Sequence, residues 1–327
     1  MQFKISLTVV SSLLRHFSIN PIRLWRNALI AYLCLLTFSP ANAIAENLRV
    51  LLVLSDNTAP YQSFYRTFYQ GLPSSVSVIV IEHAEEFGGS LPKADLIVTV
   101  GTKAGIVVAA KTTMPMLATM LPRSSYEELP SKQRRGKNIS AIYLDQPWDR
   151  QADLLHAILP DRNRVGLLYS HGTNLNLPGL SKEITHNGSS LNLQLLSSSD
   201  ALFSSLEDLL DNSDVLLAVP DSAIYSSNNI RNILLTTYRH GVPLIGLSQS
   251  YVNAGALCAV FSTPEQIAAQ TSAVVASFVQ TRQLPDAQYP SLFTIAVNQE
   301  VARTLSVPYQ SPEMLRLQMD NARRNTR

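Results

Sequence analysis

The sequence contains few cysteines and few charged residues. Only two of its 327 residues are cysteine, which excludes the disulfide framework that holds many small secreted domains together. Charged residues make up 15% of the chain, and the formal net charge of +2 provides no basic field of the kind that nucleic-acid-binding proteins carry. Hydrophobic residues make up 46%, which excludes a disordered chain and allows a large core. We therefore expect a globular protein of about two domains that binds no nucleic acid.

Sequence motifs of catalysis and of cofactor binding are also absent. There is no Gly-x-Ser-x-Gly elbow, no Walker loop, no Gly-x-Gly-x-x-Gly after the first predicted strand and no His-Glu-x-x-His. The six histidines are scattered without the spacing of metal ligands. We therefore expect a protein that is not an enzyme and that has no cofactor and no metal site. A Ser–His pair could still form in space, so a hydrolase using Ser248 or His171 stays open as an alternative.

The amino-terminal segment has the residue order of a secretory signal peptide. It contains four Lys or Arg and no acidic residue, and an apolar run over 28–36 follows the basic part. This run is shorter than the ~20 residues of a comfortable membrane span. Pro40 comes next, with small residues at Ala43 and Ala45. We expect a signal peptide over 1–45, cleaved after Ala43 or Ala45, with an uncleaved amino-terminal anchor as the alternative.

The rest of the chain alternates short apolar runs with amphipathic helical patterns. The runs over 48–54 and 96–100 are almost continuously apolar, which is typical of strands buried on both faces of a parallel sheet. Segments such as 148–159 between them have helical spacing. Eleven such runs exceed one sheet of usual size, so we predict an α/β protein with two Rossmann-like lobes. A TIM barrel is the main alternative fold. The long segment over 122–137, which contains no apolar run, argues weakly against it.

Candidate ligand-binding residues follow from the predicted strand ends. In open parallel sheets ligands bind beyond the carboxyl ends of the strands. Polar residues stand directly after most of the apolar runs, including Asp145 and Gln146 after the run ending at Leu144. The residues that we select as ligand-binding are Ser55, Asn57, Tyr61, Gly101, Thr102, Asp221, Ser222 and Ser248.

Three of these residues have specific physical arguments, each with an alternative. Gly101 permits a turn into a helix, where the Thr102 hydroxyl and free backbone N–H groups favour a carboxylate; alternatively, Thr102 is only the helix N-cap. Asp221 suits a ligand ammonium or hydroxyl, or it closes a local turn. Tyr61 begins an aromatic helical stripe and either stacks on a ligand or packs in the core.

The order of several segments resembles the ABC-transporter substrate-binding proteins of the tryptophan/tyrosine-uptake type. The carboxy-terminal half carries the clearest likeness, from Val-Pro-Asp-Ser at 219–222 through His-Gly-Val-Pro at 240–243. Other similar segments are 98–104, 138–142, 158–169, 230–246, 251–256, 296–298 and 305–308. Together they cover about residues 47 to 310, and the likeness lies in their order and spacing, since no one motif is diagnostic.

The resemblance implies a fold of the type I periplasmic-binding-protein kind. Two lobes with parallel sheets would be joined by a three-segment hinge. The first lobe would comprise 46–146 plus 263–285, and the second 147–262 plus 286–310. The polar tail over 311–327 would be a frayed helix or disordered.

The same resemblance implies a protein that captures a small molecule, such as an amino acid, and delivers it to an ABC permease. With the predicted signal peptide, we expect this protein to be a monomer in the periplasm. By this analogy Thr102 binds a ligand carboxylate, Asp221 binds an amine, and Ser248 contributes from the lobe of Asp221. An alternative partner is a sensor, another envelope receptor or an outer-membrane transporter that works without a permease.

Overall fold

The computed structural model describes residues 47–86, 92–130, 138–186 and 188–325. The predicted signal peptide over 1–45 lies outside the described residues. Both sheets described below belong to one compact unit, Asn47–Arg327. No helix among the described residues is sufficiently long and apolar to cross a membrane.

The first sheet consists of five parallel strands. They are β1 (Leu48–Leu54), β2 (Val76–Ile81), β3 (Leu96–Val100), β4 (Met116–Leu121) and β5 (Ile139–Tyr143). Their order in the sheet is β2-β1-β3-β4-β5. Every residue of β3 and of β5 is buried, because side chains pack on both faces of the sheet. This explains why these strands are continuously apolar or small in sequence rather than alternating.

The second sheet consists of six strands. They are β6 (Arg164–Ser170), β7 (Ser190–Leu196), β8 (Val215–Leu217), β9 (Leu244–Gly246), β10 (Cys258–Phe261) and β11 (Thr294–Val297). Their order is β11-β10-β9-β8-β6-β7, and within it β11 is antiparallel to β10 while the other neighbours pair in parallel. Two separate sheets confirm the predicted α/β architecture of two lobes, and a single closed barrel is excluded.

Helices follow most of the strands and cover the sheets. They are α1 (Ala59–Gln70), α2 (Thr102–Ala109), α3 (Arg123–Glu128), α4 (Trp148–Ile158), α5 (Leu177–His186), α6 (Leu202–Leu210), α7 (Ile230–Arg239), α8 (Gln249–Ala254), α9 (Pro264–Thr281), α10 (Gln299–Thr304) and α11 (Pro312–Asn325). The longest, α9, begins with a complete capping box, in which Thr263 and Gln266 satisfy each other's backbone N–H groups. It packs against α1 and so returns the chain to the first lobe.

Three chain crossings connect the lobes, and hydrogen bonds tie them together. The Gln146 side-chain amide donates to the Ser262 hydroxyl at 2.9 Å, which joins the first crossing to the second. The Ser262 hydroxyl donates to the carbonyl of Leu292 in the third crossing. The buried Arg150 guanidinium donates to the carbonyl of Pro290 at 3.1 Å. The three crossings therefore form one connected hinge.

The structure differs from the predicted lobe boundary in one detail, and for the tail it shows the helix of the two predicted alternatives. The segment 286–290, predicted in the second lobe, extends the first sheet: the Gln288 N–H donates to the Ala141 carbonyl at 2.8 Å, and the Tyr143 N–H donates to the Gln288 carbonyl at 3.0 Å. The tail over 311–327 forms helix α11 through residue 325. Leu315 and Met319, one helical turn apart, are buried where α11 packs against α4, so apolar burial orders a segment of polar composition.

Candidate functional site

Two adjoining cavities lie between the carboxyl ends of the two sheets. The hinge-side cavity, of about 400 Å³, includes Asp145, Trp148 and Tyr289 in its lining. The outer cavity, of about 510 Å³, includes Thr102 and Asp221. Ser124, Pro220 and Leu247 line both. We refer to the two cavities together as the cleft, which receives residues from both lobes.

The cleft is built from strand ends. Thr102 follows β3, Pro122 follows β4, and Asp145 follows β5 on the side of the first lobe. Gly172 follows β6 and Leu247 follows β9 on the side of the second. Because parallel strands end at the same edge, the topology alone collects these short loops at one place.

An arginine at the start of α3 organises the acidic groups of the hinge-side cavity. The Arg123 guanidinium pairs with the Glu127 carboxylate at 2.7 Å, one helical turn away, and donates to the Tyr289 hydroxyl at 3.2 Å. The Arg123 backbone N–H donates to the Asp145 carboxylate at 2.6 Å. Burial raises the pKa of Asp145 from 3.8 to about 6, although this N–H and the Arg123 charge oppose the shift. Asp145 is therefore a carboxylate in a poorly solvated wall of the cleft.

One hydrogen bond crosses the cleft directly. The Asn174 side-chain amide, in the loop between β6 and α5, donates to the Glu127 carboxylate at 3.0 Å. Glu127 belongs to the first lobe and Asn174 to the second, and both line the hinge-side cavity. A polar contact between the lobes therefore already exists beside the place where a ligand would lie.

The start of α2 is held by two residues that follow β1, one in the loop after this strand and one in helix α1. Gly101, with φ +92°, is the N-cap of α2. Thr102 is therefore the first helical residue, and the alternative interpretation of Thr102 as the N-cap is wrong. The Ser55 hydroxyl accepts the Ala104 backbone N–H at 3.0 Å, and the Tyr61 hydroxyl bonds Ser55. Burial raises the Tyr61 pKa above its usual value. These contacts fix the helix end whose first residue lines the outer cavity.

Asp221 closes a local turn and lines the outer cavity as well. Its carboxylate accepts the Ser170 backbone N–H at 2.7 Å and the Ala223 backbone N–H at 3.0 Å, and the residue is only 3% exposed. The structure therefore supports the alternative interpretation of Asp221 as a turn-closing residue. A carboxylate has about four acceptor positions, so two remain for a ligand donor.

The structure brings some of the predicted residues together and leaves others apart. Thr102, Asp221 and Ser222 line the outer cavity. Neither cavity is lined by the remaining candidates, which are Ser55, Asn57, Tyr61, Gly101 and Ser248. Asn57 instead donates to Glu82 at 3.1 Å, and Ser248 is the N-cap residue of α8. Ser248 and His171, the two residues named for the hydrolase alternative, both lie outside the lining.

The selection from sequence omits several residues that line the cleft. Asp145 is the second residue after β5, so the strand-end signal that selected Asp221 identifies it equally well. Trp148 and Glu127 lie on helices, and Tyr225 lies in the loop after β8, where sequence provides no comparable signal. Within the described part of the chain, no group of three His, Cys, Asp or Glu side chains could hold a metal ion.

Asp145 is expected to make the protein less stable as the pH rises towards neutrality. Its folded pKa of about 6 lies above the unfolded value of 3.8, so between these values the folded state binds more protons. The free energy of unfolding should fall from this group by on the order of 2 kcal/mol between pH 4 and pH 7. Urea unfolding at several pH values should show that Asp145→Asn removes this fall.

A matched control exists for that measurement. Asp214 also accepts the backbone N–H of an arginine, Arg164, at 2.9 Å, but lines neither cavity, and its pKa is lowered chiefly by the Arg164 side chain. Asp214→Asn should therefore remove stability that is present above the unfolded pKa and lost as the pH falls. An unchanged pH slope in Asp145→Asn would contradict the prediction.

Comparison with known proteins identifies related sequences and folds. The family model described as ABC transporter substrate binding protein matches residues 79–318. No curated protein matches the chain. A conserved domain protein from Vibrio cholerae superposes with a TM-score of 0.61 at 19% identity, covering 83% of this chain and 98% of that one.

Two further solved structures are similar in fold. The ABC domain from Streptococcus pneumonia in complex with L-Trp has a TM-score of 0.61 at 14% identity and covers 83% of this chain and 98% of that one. An open, ligand-free substrate binding protein with adhesive properties from Clostridium difficile has a TM-score of 0.64 at 16% identity, covering 81% and 97%. These likenesses confirm the type I periplasmic-binding-protein fold.

Proposed function

The chain belongs to the ABC transporter substrate binding protein family, and we propose that it captures a small molecule between its two lobes and delivers it to an ABC importer. The molecule is an amino acid or a compound of similar size. The predicted signal peptide supports capture in the periplasm and a membrane permease as partner. The observation that carries the proposal is the cleft, whose cavities of about 400 and 510 Å³ are lined from both lobes.

Ligand capture follows from the division of the site between the lobes. A molecule that touches Thr102 on one lobe and Asp221 on the other gains both sets of contacts only when the lobes are close. It therefore shifts the equilibrium towards the closed arrangement by its differential affinity for that arrangement. The Asn174–Glu127 hydrogen bond supports this mechanism, because it already links the lobes across the cleft.

The hinge chemistry suits such a motion. Gln146, Ser262 and Arg150 connect the three crossings through side chains rather than through a continuous sheet. Proline residues stand beside the crossings at Pro147, Pro264 and Pro290, and they limit the freedom of the backbone there. A hinge of this kind confines the lobes to few relative orientations, so a permease could recognise the closed one.

Ligand binding is expected to change the fluorescence of Trp148. The chain has two tryptophans, Trp25 and Trp148, and Trp148 lines the hinge-side cavity. In full-length protein carrying Trp25→Phe, all tryptophan emission reports on the cleft. Mass spectrometry of the small molecules released from purified protein would identify the compound for titration. We expect a saturable change in emission with one molecule bound per chain.

Filling the cleft should abolish that change. Ser124 lines both cavities, so Ser124→Phe places a ring where the ligand lies and should weaken binding at least a hundredfold. Ser204, exposed on α6, provides the matched control, since Ser204→Phe adds the same ring outside the cleft and should bind normally. Equal affinity in the two variants would refute the proposed function.

A further inference from the structure

We propose, building on the proposed function, that the cleft selects a ligand with a net positive charge: an organic amine whose ammonium group lies among the cleft carboxylates and whose apolar body fills the hinge-side cavity. The juxtaposition that supports this is an acidic outer cavity joined to a hinge-side cavity with large apolar walls. The two cavity volumes limit the size of the ligand. The charges and apolar surfaces of the lining determine which ligand charge is preferred.

The charges of the cleft are strongly unbalanced. The described residues of its lining include one guanidinium, Arg123, and four carboxylates, which are Glu127, Glu128, Asp145 and Asp221. Arg123 already pairs with Glu127 at 2.7 Å and donates to Tyr289. After this pairing three carboxylates remain, and among the residues that the structure describes no other Lys or Arg lines either cavity. In a poorly solvated cleft, an uncompensated negative field attracts a cation and repels an anion.

A buried hydroxyl independently indicates a ligand in the outer cavity. Tyr225 lines this cavity, is 6% exposed, and its hydroxyl has no hydrogen-bond partner among the described residues. An unpaired buried polar group costs about 1–3 kcal/mol, so such groups in folded proteins usually meet a partner. A ligand N–H group beside Asp221 could donate to the Tyr225 oxygen and satisfy it.

The hinge-side cavity suits the rest of such a molecule. Trp148 and Tyr289 provide aromatic faces, and Leu144, Leu175 and Val260 provide aliphatic ones. Leu144 is 39% exposed, so a ligand in this cavity could cover it. An aromatic or branched aliphatic body would remove this apolar surface from water, at about 25 cal/mol per Å².

A ligand carboxylate has a poor place in this cleft. Its best contact would be Thr102 at the start of α2, where a helix end favours an anion. Glu128 and Asp221 line the same cavity, so a carboxylate there lies near two groups of its own charge. A zwitterionic amino acid should therefore bind less tightly than the amine of the same body.

Three probes of one shape test the charge preference. Phenethylamine, phenylalanine and 3-phenylpropanoate carry net charges of about +1, 0 and −1 at neutral pH on the same phenyl body. Titrated into the full chain with Trp25→Phe and followed by Trp148 emission, phenethylamine should bind at least tenfold more tightly than phenylalanine. The propanoate should not bind measurably. Phenylalanine affinity equal to or above that of the amine would overturn the inference.

Charge-neutralising variants test the residues. Glu128→Gln and Asp145→Asn should each weaken phenethylamine binding at least fivefold and change phenylalanine binding less, which narrows the gap between the probes. Asp214→Asn, whose aspartate makes the same kind of backbone contact outside the cleft, should leave both affinities unchanged. Equal loss for all three variants, or no loss in either cleft variant, would contradict the assignment.

Failure of the inference and failure of the proposed function give different results. If none of the three probes binds but a released compound still changes Trp148 emission, the charge preference is wrong and ligand capture stands. If neither the probes nor any released compound changes the emission, both are wrong.

Discussion

Gly101→Ala is expected to lower the free energy of unfolding by roughly 3–4 kcal/mol and to weaken ligand binding with it. With φ +92° and ψ 163°, Gly101 occupies a region of backbone conformation that is essentially restricted to glycine, at a cost of about 1–3 kcal/mol for other residues. An added Cβ would also lie 2.5 Å from the Ser55 hydroxyl and 2.6 Å from the Tyr61 hydroxyl. Both distances are shorter than van der Waals contact allows.

The neighbours of Gly101 cannot move away without loss. The Ser55 hydroxyl is buried and accepts the Ala104 N–H of α2, so rotating it leaves that N–H unpaired. Moving the helix instead displaces Thr102 from the outer cavity. We therefore expect stability and binding to fall together in this variant.

Gly241→Ala provides the matched control. Gly241 also has a positive φ, +67°, but an added Cβ there would meet nothing within 4 Å. The free energy of unfolding of Gly241→Ala should fall by about 1 kcal/mol, the usual cost of a left-handed conformation for a residue other than glycine, and ligand binding should be unchanged. Urea unfolding curves and Trp148 titrations of both variants measure the difference. Equal losses would show that the close approach to Ser55 and Tyr61 has no energetic consequence.

Asp221→Ala is expected to cost about 3 kcal/mol of stability and to disorder the outer cavity. The Asp221 carboxylate joins the end of β6, through the Ser170 N–H, to the turn after β8, through the Ala223 N–H. Removing it leaves both N–H groups without this charged acceptor, and hydrogen bonds to charged groups contribute about 1.5–3 kcal/mol each. The measurement is chemical unfolding, with the midpoint and the slope compared between variants.

Two further variants separate the structural role of Asp221 from its charge. Asp221→Asn retains one acceptor oxygen and should lose about half as much stability. Ser222→Ala removes a neighbouring exposed group that lines the same cavity and should leave stability nearly unchanged. If Asp221→Ala were as mild as Ser222→Ala, the two backbone contacts would not hold the loops together.

Local sequence patterns predict the strands and part of the outer cavity. Runs such as 48–54 and 96–100 are almost continuously apolar because both faces of the sheet are covered, and this pattern is visible in the sequence alone. The rule that ligands meet strand ends then selects Thr102 and Asp221, which do line the outer cavity. The same rule does not reveal that Ser55 points into the start of α2, because that depends on a partner 49 residues away.

Composition alone was misleading at the carboxyl end. The tail over 311–327 is polar on average, yet its Leu315 and Met319 share one helical face and are buried against α4. The helical spacing of these two residues is visible in the sequence. The surface of α4 against which they pack is not. The same holds for Tyr225 and Trp148, which follow no strand-end rule and line the cleft because their loop and helix pack beside it.

By itself the sequence determined that this chain forms two mostly parallel sheets with polar loops at their carboxyl edges, because burial on both faces demands nearly continuous apolar runs and because parallel strands end together. Only the tertiary structure decided which side chains share the cleft and what net charge they present. Arg123 and Asp145 follow the neighbouring strands β4 and β5, and Tyr289, 166 residues after Arg123, joins them from the segment that leads into the third crossing. The contacts among these three side chains therefore depend on the tertiary structure, and no local sequence pattern predicts them.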